Sequence, residues 1–125
     1  MEGKIKYKYD EVEKIFYKVY SGDIYFDDLT SSWEETLKNK EVPSGVKKFI
    51  IDYKEANIIF GHKKAKDIAE FYSRHDDIFG GSKIALVMVK PEQVIFPMIV
   101  ESEGVNFDLK PFYTIEAALK WLNAD

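Results

Sequence analysis

The order of apolar patterns along this chain constrains its fold more than any other feature. Two strand-like runs come first, and from there helical and strand-like periodicities alternate as far as residues 114–122. Parallel strands need long crossover connections, and the helices that make them must lie over the sheet. The alternation predicts an α/β fold: a mixed four- or five-stranded sheet with an N-terminal antiparallel hairpin and covering helices. A length of 125 residues suffices for one core, so a single domain over 1–125 is expected.

Lys4, Lys6 and Lys8 alternate with Ile5, Tyr7 and Tyr9, the period of a strand with one wet face, and lysine there suits a sheet edge. Residues 12–20 are rich in β-branched and aromatic side chains and read as the second strand, closed by Ser21, Gly22 and Asp23. Over 26–40, Phe26, Leu29, Trp33 and Leu37 recur at helical spacing, with Asp27 and Asp28 where the helix dipole favours negative charge. Residues 46–53 form a third strand, and 54–60 read as a polar turn with a short apolar run. A helix starting near Gly61 or His62 then carries Ala65, Ile68, Ala69 and Tyr72 on one face and stops before Gly80 and Gly81.

Residues 82–89 are the most hydrophobic run and belong in the centre of the sheet. Pro91 opens a helical segment to Glu103, which Pro97 is expected to kink or split. Val105, Phe107 and Leu109 alternate with polar residues as a last strand. Thr114 then caps a helix that turns Ile115, Ala118, Leu119 and Leu122 inward.

Several function classes have no support in the residues. The net charge is −4 and the lysines are dispersed, which gives no footprint for a nucleic acid; the Lys63, Lys64 and Lys66 cluster, followed by Asp67 and Glu70, reads as a solvated helix face. Without cysteine there is no disulfide, thiolate nucleophile or thiolate metal site. The first twenty residues lack the apolar stretch of a signal peptide, and the longest apolar run, 84–89, is far short of the roughly 20 residues that span a bilayer. A cytoplasmic protein is the expectation.

Gly80 and Gly81 precede a strand rather than joining a strand to a helix, so no phosphate loop is predicted. His62 and His75, thirteen positions apart on one expected helix, point roughly 140° away from each other and predict no metal site. The adjacent carboxylates Asp27 with Asp28 and Asp76 with Asp77 read as helix-end charges, and Ser31 and Ser32 lack a nucleophile-elbow context. No catalytic set and no cofactor site emerge, so a non-enzyme is expected.

Two regions remain as candidate contact sites. His62, with Gly61 and Lys63, falls between a strand-and-turn unit and a helix, where free backbone N–H groups can meet an anion. The segment 94–100 is apolar on almost every side of a helix, so Ile95, Phe96, Met98 and Ile99 form either core or an exposed contact patch.

The segment from Phe49 to His62, the strand from Lys83 to Val89 and the closing Ile115–Leu122 resemble a SpoIIAA-like protein of the STAS superfamily, and the resemblance extends over nearly the whole chain. It implies one sheet covered by helices and a non-enzymatic role. In anti-sigma-factor antagonists of that superfamily, a serine at the start of the helix after the third strand is phosphorylated, and the added charge blocks docking to a partner kinase. The matching stretch here is Ile59, Phe60, Gly61, His62 and Lys63, and no serine, threonine or tyrosine lies between Tyr53 and Tyr72. The resemblance therefore implies an unidentified protein partner, met at Gly61, His62 and Lys63, without the phosphoswitch. Relatives lacking the switch serine suggest the alternative of a lipid-like small molecule or a membrane surface met by the 91–103 segment. A second copy of the chain, as a homodimer, is a further partner left open.

Overall fold

The computed structural model describes residues 2–124. Its sheet has five strands in the order β1 (Lys4–Asp10), β2 (Ile15–Ile24), β3 (Lys48–Ile58), β4 (Lys83–Val87) and β5 (Asp108–Phe112). β1 and β2 pair antiparallel, and every later pair is parallel. The helices are α1 (Phe26–Lys38), α2 (Ala65–Arg74), the short α3 (Asp76–Phe79), α4 (Pro91–Ser102) and α5 (Ile115–Leu122). This is the mixed sheet, hairpin and helical cover read from the sequence.

Side-chain alternation divides the covering helices between the two faces. Phe49, Ile51 and Tyr53 of β3 and Ile84 and Leu86 of β4 point into one core, which α1, α2, α3 and α4 cover with Leu29, Trp33, Phe71, Tyr72, Phe79 and Val100. Trp33 is its hub: ring centroids of Phe79, Phe16, Phe49 and Tyr72 lie 5.2, 6.2, 6.3 and 6.3 Å from it. Ile15, Ile50, Ala85 and Val87 point the other way, where α5 covers them with Ala118 and Leu122.

Local chemistry fixes the helix ends. The Tyr25 N–H donates to Asp28 Oδ2 at 2.9 Å at the start of α1, and Thr114 Oγ1 accepts from the Ala117 N–H at 3.1 Å at the start of α5. Sheet lysines hold the other end of α5, Lys83 Nζ donating to the Trp121 carbonyl at 3.2 Å and Lys48 Nζ to Asn123 Oδ1 at 2.9 Å. Cations there suit the negative end of the helix dipole.

The structure corrects several expected boundaries. Residues 11–14 form the hairpin turn, with Lys14 at φ 59, so β2 starts at Ile15 rather than Val12. β2 does not close at Ser21 but runs through Gly22 to Ile24, after a register irregularity between Val19 and Ser21. Its extension pairs with 55–58, which makes the expected polar turn the second half of β3. Glu55 and Asn57 read as turn residues because this half of the strand has no strand on its other side. The pairing of β3 with β4 ends at Asp52.

The helix expected from Gly61 to Gly80 is three pieces: a 3-10 turn at His62–Lys64, then α2, then α3 after a break at His75. β4 is interior, paired on both sides, while β3 holds the middle of the sheet. α4 runs unbroken through Pro97. The last strand starts at Asp108, three residues after Val105, and carries Pro111 on the sheet edge, where a missing N–H is tolerated.

Candidate functional site

β3 outruns β4 at the carboxyl rim of the parallel strands. The Ala56 carbonyl, in the stretch beyond Asp52, accepts from Lys90 Nζ at 2.8 Å and from Gln93 Nε2 at 3.2 Å, so side chains from the start of α4 take the place of a neighbouring strand. Lys90 Nζ also donates to Asn57 Oδ1. Between the end of β3 and the start of α4 a cleft of about 290 Å³ opens, lined by Asn57, Ile58, Phe60, Gly61, His62, Lys90, Glu92, Gln93, Ile95 and Phe96.

This cleft joins residues from both sequence candidates, because Gly61 and His62 form one wall and Ile95 and Phe96 another. Lys63 adjoins it, and Gly61, His62 and Lys63 are all exposed. A side chain at Gly61 would meet nothing within 4 Å. The helical stretch expected from His62 opens as a three-residue 3-10 turn with Gly61 at its N-cap, and α2 follows from Ala65. Lys64 is itself engaged, 3.7 Å from Asp67 and 4.9 Å from the Phe26 ring. His62 and His75 do not share a helix, because His62 lies in the 3-10 turn while His75 is the C-cap of α2, its ring tilted against Phe71 with centroids 4.9 Å apart.

The apolar candidates on α4 divide by helical face. Phe96 is 7 % exposed and belongs to the core, packing edge-on against Phe60 with centroids 5.5 Å apart. Ile99 is half-buried against that core. Ile95 and Met98 are 43 % and 66 % exposed, and Ile59 and Val89, just past the ends of β3 and β4, are exposed too. Beneath α4, a small apolar cavity of about 30 Å³ is bounded by Tyr53, Tyr72, Leu86, Met88, Phe96 and Pro97 among others.

Two long polar side chains, Gln93 and Lys18, are buried and escaped the reading of the sequence. Gln93 falls on the inward stripe of α4 with Phe96, Pro97 and Val100, a spacing of three, four and seven that could have exposed it. Lys18 is 0 % exposed and shares the inward face of β2 with Phe16 and Tyr20, which strict period-two counting would have caught. Its Nζ lies 3.8 Å from the centroid of the Trp33 ring and 3.5 Å from Thr36 Oγ1, whose own hydroxyl donates to the Ser32 carbonyl at 2.8 Å. Burial pushes the Lys18 ammonium down to about 7, against a smaller upward pull from Glu35. Thr36 and Ser32 also line a groove of about 330 Å³ between β1 and α1, beside Ile5, Tyr7 and Glu35.

The carboxylate pairs are structural. Asp28 caps α1, and Asp76 Oδ1 accepts from Asn106 Nδ2 at 3.2 Å, tying α3 to the loop before β5. No helix among the described residues is long and apolar enough to cross a membrane.

No protein-family model matches the chain, and no curated protein matches it. Among solved structures, the chain is similar to an uncharacterized protein from the DUF3478 family with a SpoIIAA-like fold from Shewanella loihica PV-4. The TM-score is 0.62 at 17 % identity, covering 96 % of this chain and 93 % of that one. The fold of this chain is therefore SpoIIAA-like, as the resemblance implied.

Proposed function

We propose that this chain is a non-enzymatic, STAS-like regulatory module that binds a protein partner through the Gly61, His62 and Lys63 turn and the adjoining cleft. The observation that carries the reading is the position of that turn. It is exposed, it follows the longest parallel strand at the carboxyl rim, and it borders the apolar side chains Ile59 and Ile95, which are themselves exposed. An exposed apolar rim beside polar groups is the composition of a contact surface. With no hydroxyl between Tyr53 and Tyr72, the contact is set without a serine phosphoswitch.

A pull-down from native lysate with the full chain tests this reading, compared with a Gly61→Glu and His62→Glu double variant. Both positions are exposed, so the variant keeps its fold while charge and bulk block the turn. Recovery of a partner by the parent alone supports the reading. Recovery of nothing, or of the same partners by both, removes it.

A second reading, a carrier of an apolar or lipid-like ligand or a module that settles on membranes, rests on α4. The apolar cavity beneath it, at about 30 Å³, has room for about one water. A lipid would need α4 to swing outward, taking Phe96 with it. This reading expects Ile95→Glu with Met98→Glu to abolish sedimentation with anionic vesicles. Sedimentation that neither the parent nor the variant displays counts against it.

A further inference from the structure

The two edges of the sheet differ. β5 spans five residues and carries Pro111, which has no N–H to give, so its rim offers little to another strand. β1 spans seven residues with neither proline nor glycine, and its register with β2 runs from Lys4 to Asp10 without a bulge. Among the described residues, no backbone hydrogen bond joins β1 to any element but β2. Its outer edge is therefore about 23 Å of backbone N–H and C=O groups without a strand partner, a template for one more strand.

Side chains on the two faces of that edge restrict what the strand can be. Lys4, Lys6 and Lys8 are exposed, form no ion pair among the described residues and share the α5 face of the sheet, with Lys8 Nζ 4.8 Å from the centroid of the Tyr17 ring. Asp10 ends the row but is spent on the hairpin turn, its Oδ1 accepting from the Val12 and Glu13 N–H groups. Ile5, Tyr7 and Tyr9 lie on the opposite face, where Ile5 and Tyr7 border the groove against α1 and Tyr7 stacks 5.9 Å from Phe16. Asp28 and Glu35 line that groove, and partial burial with the Glu41 and Glu35 carboxylates holds the Tyr7 phenol above its usual pKa, so this side is negative. A second copy of β1 fits badly, since pairing would set lysine against lysine. A strand that alternates acidic with uncharged residues suits both faces, with its carboxylates over the lysines and its uncharged side chains beside Ile5 and Tyr7.

We propose that the free edge of β1 takes up an extended acidic segment of a partner protein, with a carboxylate at every second position, as an added strand. The surface is a different one from the Gly61 turn, and the proposal does not rest on that reading. Titration of the ¹⁵N-labelled full chain with the capped peptide Ac-Glu-Val-Glu-Thr-Glu-Val-Glu-NH2 tests it. Two control peptides accompany it: the same sequence with every backbone amide N-methylated, and one with lysine in place of each glutamate. The expected result is saturable shifts along β1, slower hydrogen exchange at alternate β1 amides, and an affinity that falls as salt is raised. Binding roughly tenfold weaker or worse is expected for both controls, and for the Lys4→Glu, Lys6→Glu, Lys8→Glu chain, whose substitutions all lie at exposed positions.

Absence of β1 shifts with the acidic peptide at millimolar concentration overturns the proposal and leaves the lysines as guards of the edge. Equal binding of the N-methylated peptide overturns it too, because charge attraction then accounts for the shifts without strand pairing. So does equal binding by the triple variant, and so do shifts centred on Asn57 and Gly61 instead of β1. Because the N-methylated control leaves the protein unaltered, the test does not depend on any variant keeping its fold.

Discussion

Lys18 has its ammonium against the face of Trp33 and within reach of Thr36 Oγ1, with no carboxylate in contact among the described residues, so cation–π attraction and one long hydrogen bond are left to offset the cost of burying a charge. Its folded pKa of about 7 lies well below that of the unfolded chain. Between those two values the unfolded chain binds a proton that the native chain does not. Stability therefore rises with pH across that window, by at most about 1.4 kcal/mol per pH unit from this residue, and the full penalty applies below pH 7. Urea unfolding between pH 7 and 9.5 is expected to show this rise in the parent and a flatter profile in Lys18→Met, with the variant more stable at pH 7. Equal slopes in the two proteins would refute the assignment. Burial raises the pKa values of Tyr20, Tyr53 and Tyr72, which adds an opposite trend only at still higher pH. Lys18 and Gln93 were legible only as positions in a period, because a lysine or glutamine read alone predicts exposure.

At the scale of elements, the sequence placed the hairpin, all five strands and the longer helices, and it erred where tertiary pairing overrides local composition. Ser21, Gly22 and Asp23 have turn chemistry, yet they lie within β2 because they pair with Glu55, Ala56 and Asn57 of β3, with Gly22 at φ 76 against Glu2 and Gly3. A Cβ there would approach the Glu2 carbonyl oxygen to within 2.4 Å. Gly22→Ala is expected to cost about 1–3 kcal/mol, combining left-handed strain with that clash. Gly61→Ala, where φ is −78 and nothing lies within 4 Å, changes the urea midpoint little. Similar losses at both glycines would contradict the geometry. The same override hid the second half of β3, whose polar Glu55 and Asn57 are tolerated because only β2 pairs with it there. It also hid the cleft, which exists because β3 extends beyond β4 and Lys90 and Gln93 reach its Ala56 carbonyl.

The whole molecule is lopsided, with four helices and an aromatic cluster around Trp33 on one face and α5 alone on the other. Deleting a buried leucine side chain costs about 2–5 kcal/mol wherever the site cannot collapse. Leu122→Ala is expected to fall at the low end of that range, since α5 can settle, and Trp33→Ala above it, since four aromatic neighbours lose their hub. Thermal unfolding with 8-anilinonaphthalene-1-sulfonate fluorescence distinguishes the two, because loosening of α5 exposes Ile15, Ile50 and Val87 while the far core stays closed. A loss at Leu122 as large as that at Trp33 would mean the two layers are equally demanding. Translation releases α5 after every strand it must clothe, so a nascent chain carries a bare greasy side until α5 emerges. Rapid expression therefore invites chaperone capture or clumping at that side before the finished fold has any say.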